Sequence, residues 1–539
     1  MNKKMIMRTV LSAVIILLLI ITGAYFYSLL SKKEKESDTN LYTLIPKDCI
    51  AILETDNAGH FFHNINNVNY ERNINSLKIS ELLYGLKNNF ETLSDNKIHG
   101  FSKQMSQIIV SFHQPNTSKD QILYCKLGSG DKDFIKGYID RNTSILFPPK
   151  TFEYRNEKIH IYPLNATEFL ACYYHQEFLV VSYQEKLIEK VIDTYLDKES
   201  ILCDSVFASI VNRNKTRMEA TIFIKGEQIE LGNNEDKYPK TTSISHWGEF
   251  DIKLNPDAIY LSGTSFDTDS CNSFDNALKT VEPVPNISGK ELPESTYFLC
   301  QLATSNMEKI FKQITQKEYP PLRCYTPQEK ADSCMLHYFK EYAENTMSII
   351  MFTTSQDENT QRIIANIPVK DRESAESYLK SLIPTFTGRK IESSFFHFNG
   401  KAYQSMTLPR LTFTGHFVRG IIKNRQAEDY VCCFYNDRLL IAPNDTCIQD
   451  YIHLVDNGKV KEGDVIFEEC MAGLAPESAC LLMTDMSKTI TEPQLYGHLM
   501  PNFFFKNKDF FRNFLMTTQF TTANGTVFPS ITLTYKGEL

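Results

Sequence analysis

A chain of 539 residues exceeds what one hydrophobic core ordinarily organises, so its length asks for roughly two to four domains. With 42% hydrophobic and 23% charged residues and no low-complexity tract, extended disorder is excluded outside short linkers. A formal net charge of −8 repels phosphate backbones, so no nucleic acid is expected among the partners.

The amino terminus departs from the globular pattern. Residues 1–8 form a basic tail, and TVLSAVIILLLIITGAYFYSLL, residues 9–30, follows without a charge. As a helix this run would reach about 33 Å, enough for a hydrocarbon core of roughly 30 Å. Tyr25, Phe26 and Tyr27 stand near its outer end, where amphipathic rings favour the headgroup zone. A transmembrane signal anchor is expected. The other reading is a cleaved signal peptide, for which Thr22, Gly23 and Ala24 supply small residues, but the run exceeds the usual apolar length of roughly 7 to 15. Lys3, Lys4 and Arg8 before the span balance Lys32, Lys33 and Lys35 after it, so the count of basic residues does not orient it. The short tail and the large following domain favour a cytoplasmic 1–8, an inner-membrane 9–30, a linker 31–40 and a periplasmic remainder.

Beyond the linker the chain repeats itself. LIPKDCIAILETDN, from Leu44, is echoed by ELPESTYFLCQLATSN, from Glu291. QIIVSFHQPNTSKDQILYCKLGSGDKDFIKGYI, from Gln107, runs parallel to SIIMFTTSQDENTQRIIANIPVKDRESAESYLKSL, from Ser348; both read strand, polar turn, strand, helix. YHQEFLVVSYQEKLIEKVIDTYL, from Tyr174, matches YNDRLLIAPNDTCIQDYIHLV, from Tyr435, and the short helical stretches SVFASIV and VIFEECM follow. MEATIFIKGEQI, from Met218, matches SACLLMTDMSKTI, from Ser478. FDIKLNPDAIYLSGTSF, from Phe250, resembles QFTTANGTVFPSITLTY, from Gln519, each two strands about a good turn former. The shared order predicts a duplication, with copies at 41–290 and 291–539. Pro46 and Pro293 head the opening strands, where a missing N–H costs least, whereas Pro476 belongs to a later strand of the second copy. EPVPNISGKELP, from Glu282, reads as the hinge between copies. Strand pairs on short turns, with singly striped helices between them, indicate α+β modules of mainly antiparallel sheet with packed helices.

At HWGEFDIKLNPDAIYLSGTSF, from His246, and KELPESTYFLCQLATSNMEKIF, from Lys290, the chain resembles an uncharacterised bacterial membrane-anchored envelope family known only as a domain of unknown function. There a tryptophan-led strand pair with an Asn-Pro-Asp-like turn precedes the Leu-Pro strand that opens the next module, and the resemblance spans most of the chain after the anchor. It implies a cell-envelope location with the large domain outside the cytoplasm. It brings no activity and no catalytic residue.

Chemical motifs are sparse. There is no Gly-x-Ser-x-Gly elbow, Walker loop, Gly-x-Gly-x-x-Gly or His-Glu-x-x-His. Thirteen cysteines, an odd number, leave at least one unpaired within the chain, and Cys49, Cys172, Cys300 and Cys432 sit in apolar runs where a thiol serves as a small buried hydrophobe. Asp267 and Asp269 are spaced like the first ligands of a calcium loop, but the sixth and twelfth positions are Asn272 and Leu278. A polar turn with a helix cap at Ser273 or Asp275 is therefore the preferred reading. His60 and His63 stand one helical turn apart without a third ligand and read as a helix surface. No cofactor, metal or catalytic residue is assigned.

Differences between the copies point to function more directly, since a feature needed only for the fold should occur in both. The second copy carries an extra PRLTFTGHFVRGIIKNRQAEDY, from Pro409, with Arg410, Phe413, Phe417, Arg419, Lys423 and Arg425. Basic and aromatic residues in an acidic protein suit a partner contact, and a hairpin that only extends the sheet is the plainer reading. PNFFFKNKDFFRNF, from Pro501, has six phenylalanines within twelve residues; as a helix it would put Phe503, Phe510, Phe511 and Phe514 on one face, for core packing or for a hydrophobic contact patch. The function expected is that of a membrane-anchored extracytoplasmic binding or scaffold protein of the cell envelope, with an envelope protein as partner. The alternative is an unrecognised extracytoplasmic hydrolase with a site between the two modules.

Overall fold

The computed structural model describes residues 39–74, 77, 80–83, 85, 107–128, 148–213, 219–226, 245–267, 273–315, 326–409, 429–496 and 500–537, apart from positions 116, 166, 176, 356, 389 and 390. The chain divides into two compact units, Met1–Phe62 with Ile79–Ala208, and His63–Lys78 with Ser209–Leu539. The fold class is α+β, and every strand pairing described below is antiparallel.

In the first unit β1 (Ala51–Thr55) leads into α1 (Ala58–Ile65), and β2 (Ile108–Phe112), β3 (Gln121–Lys126), β4 (Lys150–Tyr154), β5 (Glu157–Pro163), β6 (Phe169–Tyr174) and β7 (Phe178–Ser182) complete the sheet. The strand order is β1-β2-β3-β7-β6-β5-β4. α2 (Glu185–Asp197) follows β7 and lies on one face. Its Leu187, Ile188, Val191 and Ile192 recur at helical spacing and are all buried, each stabilising by about 2 kcal/mol.

In the second unit β8 (Ala220–Lys225), β9 (Trp247–Asn255) and β10 (Ala258–Phe266) are followed by α3 (Phe274–Leu278), β11 (Val284–Pro285), β12 (Phe298–Ala303), α4 (Met307–Thr315) and α5 (Pro327–Tyr342). Then come β13 (Thr346–Thr354), β14 (Asp357–Pro368), α6 (Arg372–Thr387), β15 (Ser393–Phe398), β16 (Lys401–Pro409), β17 (Asp429–Tyr435) and β18 (Arg438–Ala442). α7 (Asp445–Asp456), α8 (Val465–Ala472), β19 (Glu477–Ser478), β20 (Cys480–Asp485), α9 (Asn502–Lys506), α10 (Lys508–Phe511), β21 (Phe514–Ala523) and β22 (Thr526–Tyr535) close the chain. The sheet runs β8-β9-β10-β22-β21-β20-β12-β13-β14-β18-β17-β16-β15, with β11 and β19 as a separate pair.

Side chains alternate across a strand, so both sheet faces are apolar and each takes its own helices. Leu302, Met347, Ile367 and Ile441 pack against Ile310 of α4, Met335 and Phe339 of α5, and Leu379 of α6. The opposite face, with Leu299, Ile350, Ile364 and Leu440, receives Ile448, Tyr451 and Ile452 of α7 and Phe467 of α8. The helix ends obey local chemistry: Thr326 and Glu329 form a reciprocal capping box ahead of Pro327, and α6 runs from the Asp371 cap to Gly388 at φ 67°.

The order β12-β13-β14-β18-β17-β16-β15 repeats β1-β2-β3-β7-β6-β5-β4 strand for strand. Finer features recur as well. Pro46 bridges Ser200 and Pro293 bridges Val460. The Ile201 amide donates to Ile45 O at 2.8 Å, and the Lys461 amide donates to Leu292 O at 2.8 Å. The β4–β5 turn uses Arg155 and Asn156 at φ 49° and 68°; the β15–β16 turn uses Asn399 and Gly400 at φ 46° and 75°. The segment from Glu282, expected as a hinge, is held in the second unit: β11 pairs β19, and the Ile287 amide donates to Gln301 Oε1 at 2.9 Å.

The phenylalanine-rich stretch is not the single helix expected. It forms the two short turns α9 and α10, and Phe514 opens β21. Asn507, at φ −113° and ψ 35°, breaks the helix while its side chain donates to Phe503 O at 2.9 Å, and pairing with Tyr535 draws Phe514 into the sheet. The rings converge all the same. Phe510, Phe511 and Phe514 are buried, Phe503 meets Phe511 edge-on at 5.4 Å, and Lys506, Lys508 and Arg512 are exposed.

Phe250 lies across Gly263, its cross-strand partner, so a Cβ at Gly263 would stand 2.5 Å from Phe250 Cδ1. Gly263→Ala should lower the thermal unfolding midpoint, at a cost of about 1–3 kcal/mol. Gly473→Ala, where the nearest atom is at 3.6 Å, should leave it nearly in place; equal midpoints for both variants would refute the steric account.

Candidate functional site

Several of the positions singled out in the sequence, namely residues 9–30, Asp269, Arg410, Phe413, Phe417, Arg419, Lys423 and Arg425, lie outside the described residues. Among the described residues no helix is long and apolar enough to cross a membrane. His60 and His63 are exposed on α1, and among the described residues no group of three or more His, Cys, Asp or Glu side chains could hold a metal ion. Asp267 builds a polar turn: one carboxylate oxygen accepts from the His246 amide at 2.7 Å and the other from the Ser273 hydroxyl. Ser273 caps α3 by accepting from the Asn276 amide at 3.2 Å. Asp275, on α3, is fully buried with neither carboxyl oxygen in hydrogen-bond geometry among the described residues. Burial pushes its carboxyl up to about 7, eased by the Ser265 hydroxyl and reinforced by the Asp267 charge. Cys49, Cys172, Cys300 and Cys432 are buried as expected, and burial pushes the Cys172 thiol up to about 12.

The densest polar constellation was not legible beforehand. Alternation along β2 and just past it puts Ser111 and His113 on one sheet face, and the β2–β3 register adds Tyr124. Ser111 Oγ stands 2.9 Å from His113 Nε2 and 3.1 Å from Tyr124 Oη. His113 Nδ1 faces Asp48 Oδ1 at 3.5 Å, and Lys190 Nζ of α2 donates to Asp48 Oδ2 at 2.6 Å. Hydrogen bonding from His113, then from Lys190, holds the Asp48 carboxyl far below the usual carboxylate range despite its partial burial.

Serine, histidine and aspartate in this sequence of contacts are the parts of a nucleophilic triad, but their accessibility is inverted. A working triad presents its serine to substrate and buries its aspartate. Here Ser111 and Tyr124 are 0% exposed and His113 1%, whereas the Asp48 side chain is 52% exposed. The arrangement cannot offer Ser111 to a substrate, and His113 Nδ1, buried, has no partner in hydrogen-bond geometry among the described residues. Aligned by sequence, Gln107 falls on Ser348 and Ser111 on Phe352, but the strand register of the two sheets is shifted by two residues from that alignment. Ala51 opposite Phe112 corresponds to Phe298 opposite Met351, which sets Ser111 against Ile350, His113 against Phe352 and Tyr124 against Asn366.

The two outermost strands differ in a second way. β4 carries Lys150 and Glu153, and the turn after it is clasped by Arg155, which donates to Asp193 at 2.7 Å and Asp197 at 2.8 Å on α2. β15 reads SSFFHF, without a formal charge or a proline, and its only described strand neighbour is β16. Phe395 in its middle is 65% exposed. An uncharged, unblunted edge with an outward aromatic ring is what strand pairing with another chain requires.

No family model, no curated protein and no solved structure matches this chain.

Proposed function

We propose that the protein is a membrane-anchored, extracytoplasmic binding or scaffold component of the bacterial cell envelope, built from two copies of one α+β module at 41–290 and 291–539. The observation that carries the binding role is the β15 edge, six residues without charge or proline and with Phe395 turned outward. The partner it suits is an extended segment of an envelope protein that adds a strand to β15: main-chain hydrogen bonds supply affinity, and contacts to Phe395 and His397 supply selectivity. The repeated seven-strand order and the paired bridges at Pro46 and Pro293 support the duplication. The uncharged run 9–30 supports the anchor and, through it, the envelope location. Arg410, Phe413, Phe417, Arg419, Lys423 and Arg425 belong to the connection between β16 and β17 and are assigned as a second contact to the same partner.

A photo-cross-linker at Phe395 in the intact protein, in cells, tests this reading. It should attach to an extended peptide of one envelope protein, and Phe395→Lys, a surface change of about 0.5 kcal/mol or less in stability, should lower recovery of that protein at least several-fold. Deletion of 409–425 should weaken it further. Cross-links only to abundant background proteins, or recovery unchanged by both changes, would refute the docking edge.

A further inference from the structure

We propose that the occupant of the β15 edge is β15 of a second copy of this chain, the two strands pairing antiparallel about a two-fold axis at Phe395. The proposal rests on the docking edge described above and names its partner. The backbone phase of β15 is set by one hydrogen bond. The Thr407 amide donates to Glu392 O at 3.0 Å, and this pair continues the register in which Ser393 faces Met406. Hydrogen-bonded pairs alternate along an antiparallel ladder, so Ser394, Phe396 and Phe398 turn their N–H and C=O groups toward β16. Ser393, Phe395 and His397 turn theirs the other way, where β15 has no strand neighbour among the described residues.

With Phe395 facing Phe395 of the second copy, Ser393 faces the other copy's His397 at each end, and the outward N–H and C=O groups of all three residues find partners. The side chains favour a copy of the same strand. Phe395, 65% exposed when alone, meets an identical ring across the new pair, an aromatic contact of the kind that stabilises sheets. On the opposite face Glu392 comes beside the second copy's Phe398, whose own partner on β16 is Lys401. Facing residues share a sheet face, so Glu392 and the other copy's Lys401 lie two strands apart, about 9.5 Å at the backbone, within reach of two long side chains. Both are exposed, and the two-fold axis supplies this pair of opposite charges twice. In a chain of net charge −8, whose copies repel one another in general, β15 brings two copies together without opposing like charges.

The first unit lacks an equivalent surface. Its outermost strand, β4, carries Lys150 and Glu153 and ends at the Arg155 clasp, charges that an added strand would have to strip of water. A self-complementary edge used once per chain closes at two copies and leaves nothing to propagate. Main-chain bonds along six residues and one aromatic pair make a small interface, weak between molecules free in solution. Two chains held in one membrane through 9–30 meet at a raised effective concentration, which compensates for the small area.

The test expresses two differently tagged full-length copies in the same cells, with the photo-cross-linker at Phe395 of one. The product should carry both tags, and the joined peptides should be 393–398 from each copy. A second arm uses charge at the exposed Ser393 and His397. Copies with Ser393→Lys and His397→Lys, or with Ser393→Glu and His397→Glu, should each recover their own kind at least several-fold less than natural copies do, while the lysine and glutamate forms recover one another. A cross-link from Phe395 to a peptide of a different protein would overturn self-pairing and leave the docking edge standing, whereas cross-links to background proteins alone would overturn both. Joining of the two copies through other peptides, or equal recovery of like and opposite charge variants, would also overturn the pairing.

Discussion

Asp275→Asn should raise the thermal unfolding midpoint at pH 8 and remove a slope of stability between about pH 4 and pH 7. The carboxyl is fully buried on α3 without a hydrogen-bonded oxygen, and burial pushes it up to about 7, from 3.8 when unperturbed. Its folded value is raised, so its contribution to stability is fully present below about 4 and is lost as pH rises through 7. A shift of that size corresponds to a few kcal/mol at pH 8 as an upper bound. Asparagine matches the neutral acid in shape and never charges, so the variant should gain at pH 8 and change little at pH 4. Because the chain divides into two compact units, the midpoint is the quantity to compare, not an extrapolated free energy. Parallel pH profiles for the two proteins would show that Asp275 is satisfied in some other way.

The second large effect concerns the phenylalanine cluster. Phe514→Ala should cost about 3–5 kcal/mol in the second unit, and Phe503→Ala much less. Phe514 is 0% exposed, lies 5.0 Å from Phe510 and 5.5 Å from Tyr70, and begins the strand that pairs with β22. Removing its ring leaves a cavity whose walls are held by two sheet strands and cannot collapse inward. Phe503 is half-buried on a short turn, and its loss can be filled by water. Equal, small shifts in the unfolding midpoint for both variants would mean that the rings are a contact surface and not a core.

The organisation of strands was readable because it rests on local chemistry. Alternating apolar residues with polar turns announced β2–β3 and β13–β14, and the stripe of Leu187, Ile188, Val191 and Ile192 announced α2 before any packing was known. The phenylalanine stretch misled because its spacing suits a helix, while the cap at Asn507 and the pull of strand pairing at Phe514 are respectively a side-chain choice and a tertiary effect. The chain Asp48, His113, Ser111, Tyr124 was hidden for a different reason. Asp48 precedes β1 and its partners lie on β2 and β3, so their meeting depends on sheet register, which no motif spacing encodes. β15 looked like any short strand until the sheet order placed it last among the described strands.

The buried thiols carry a consequence for the life history of the chain. Cys172, Cys300, Cys432, Cys433, Cys470 and Cys480 are packed away from solvent, and burial pushes Cys172 and Cys433 up to about 12, so the reactive thiolate is scarce once folding is complete. An oxidant would then act little on these buried thiols and far more on the chain before it folds, when its thirteen cysteines are all accessible. For the buried thiols biogenesis becomes a race between sheet closure and cross-linking, with the danger confined to a moment of synthesis, whereas Cys203 remains on the finished surface.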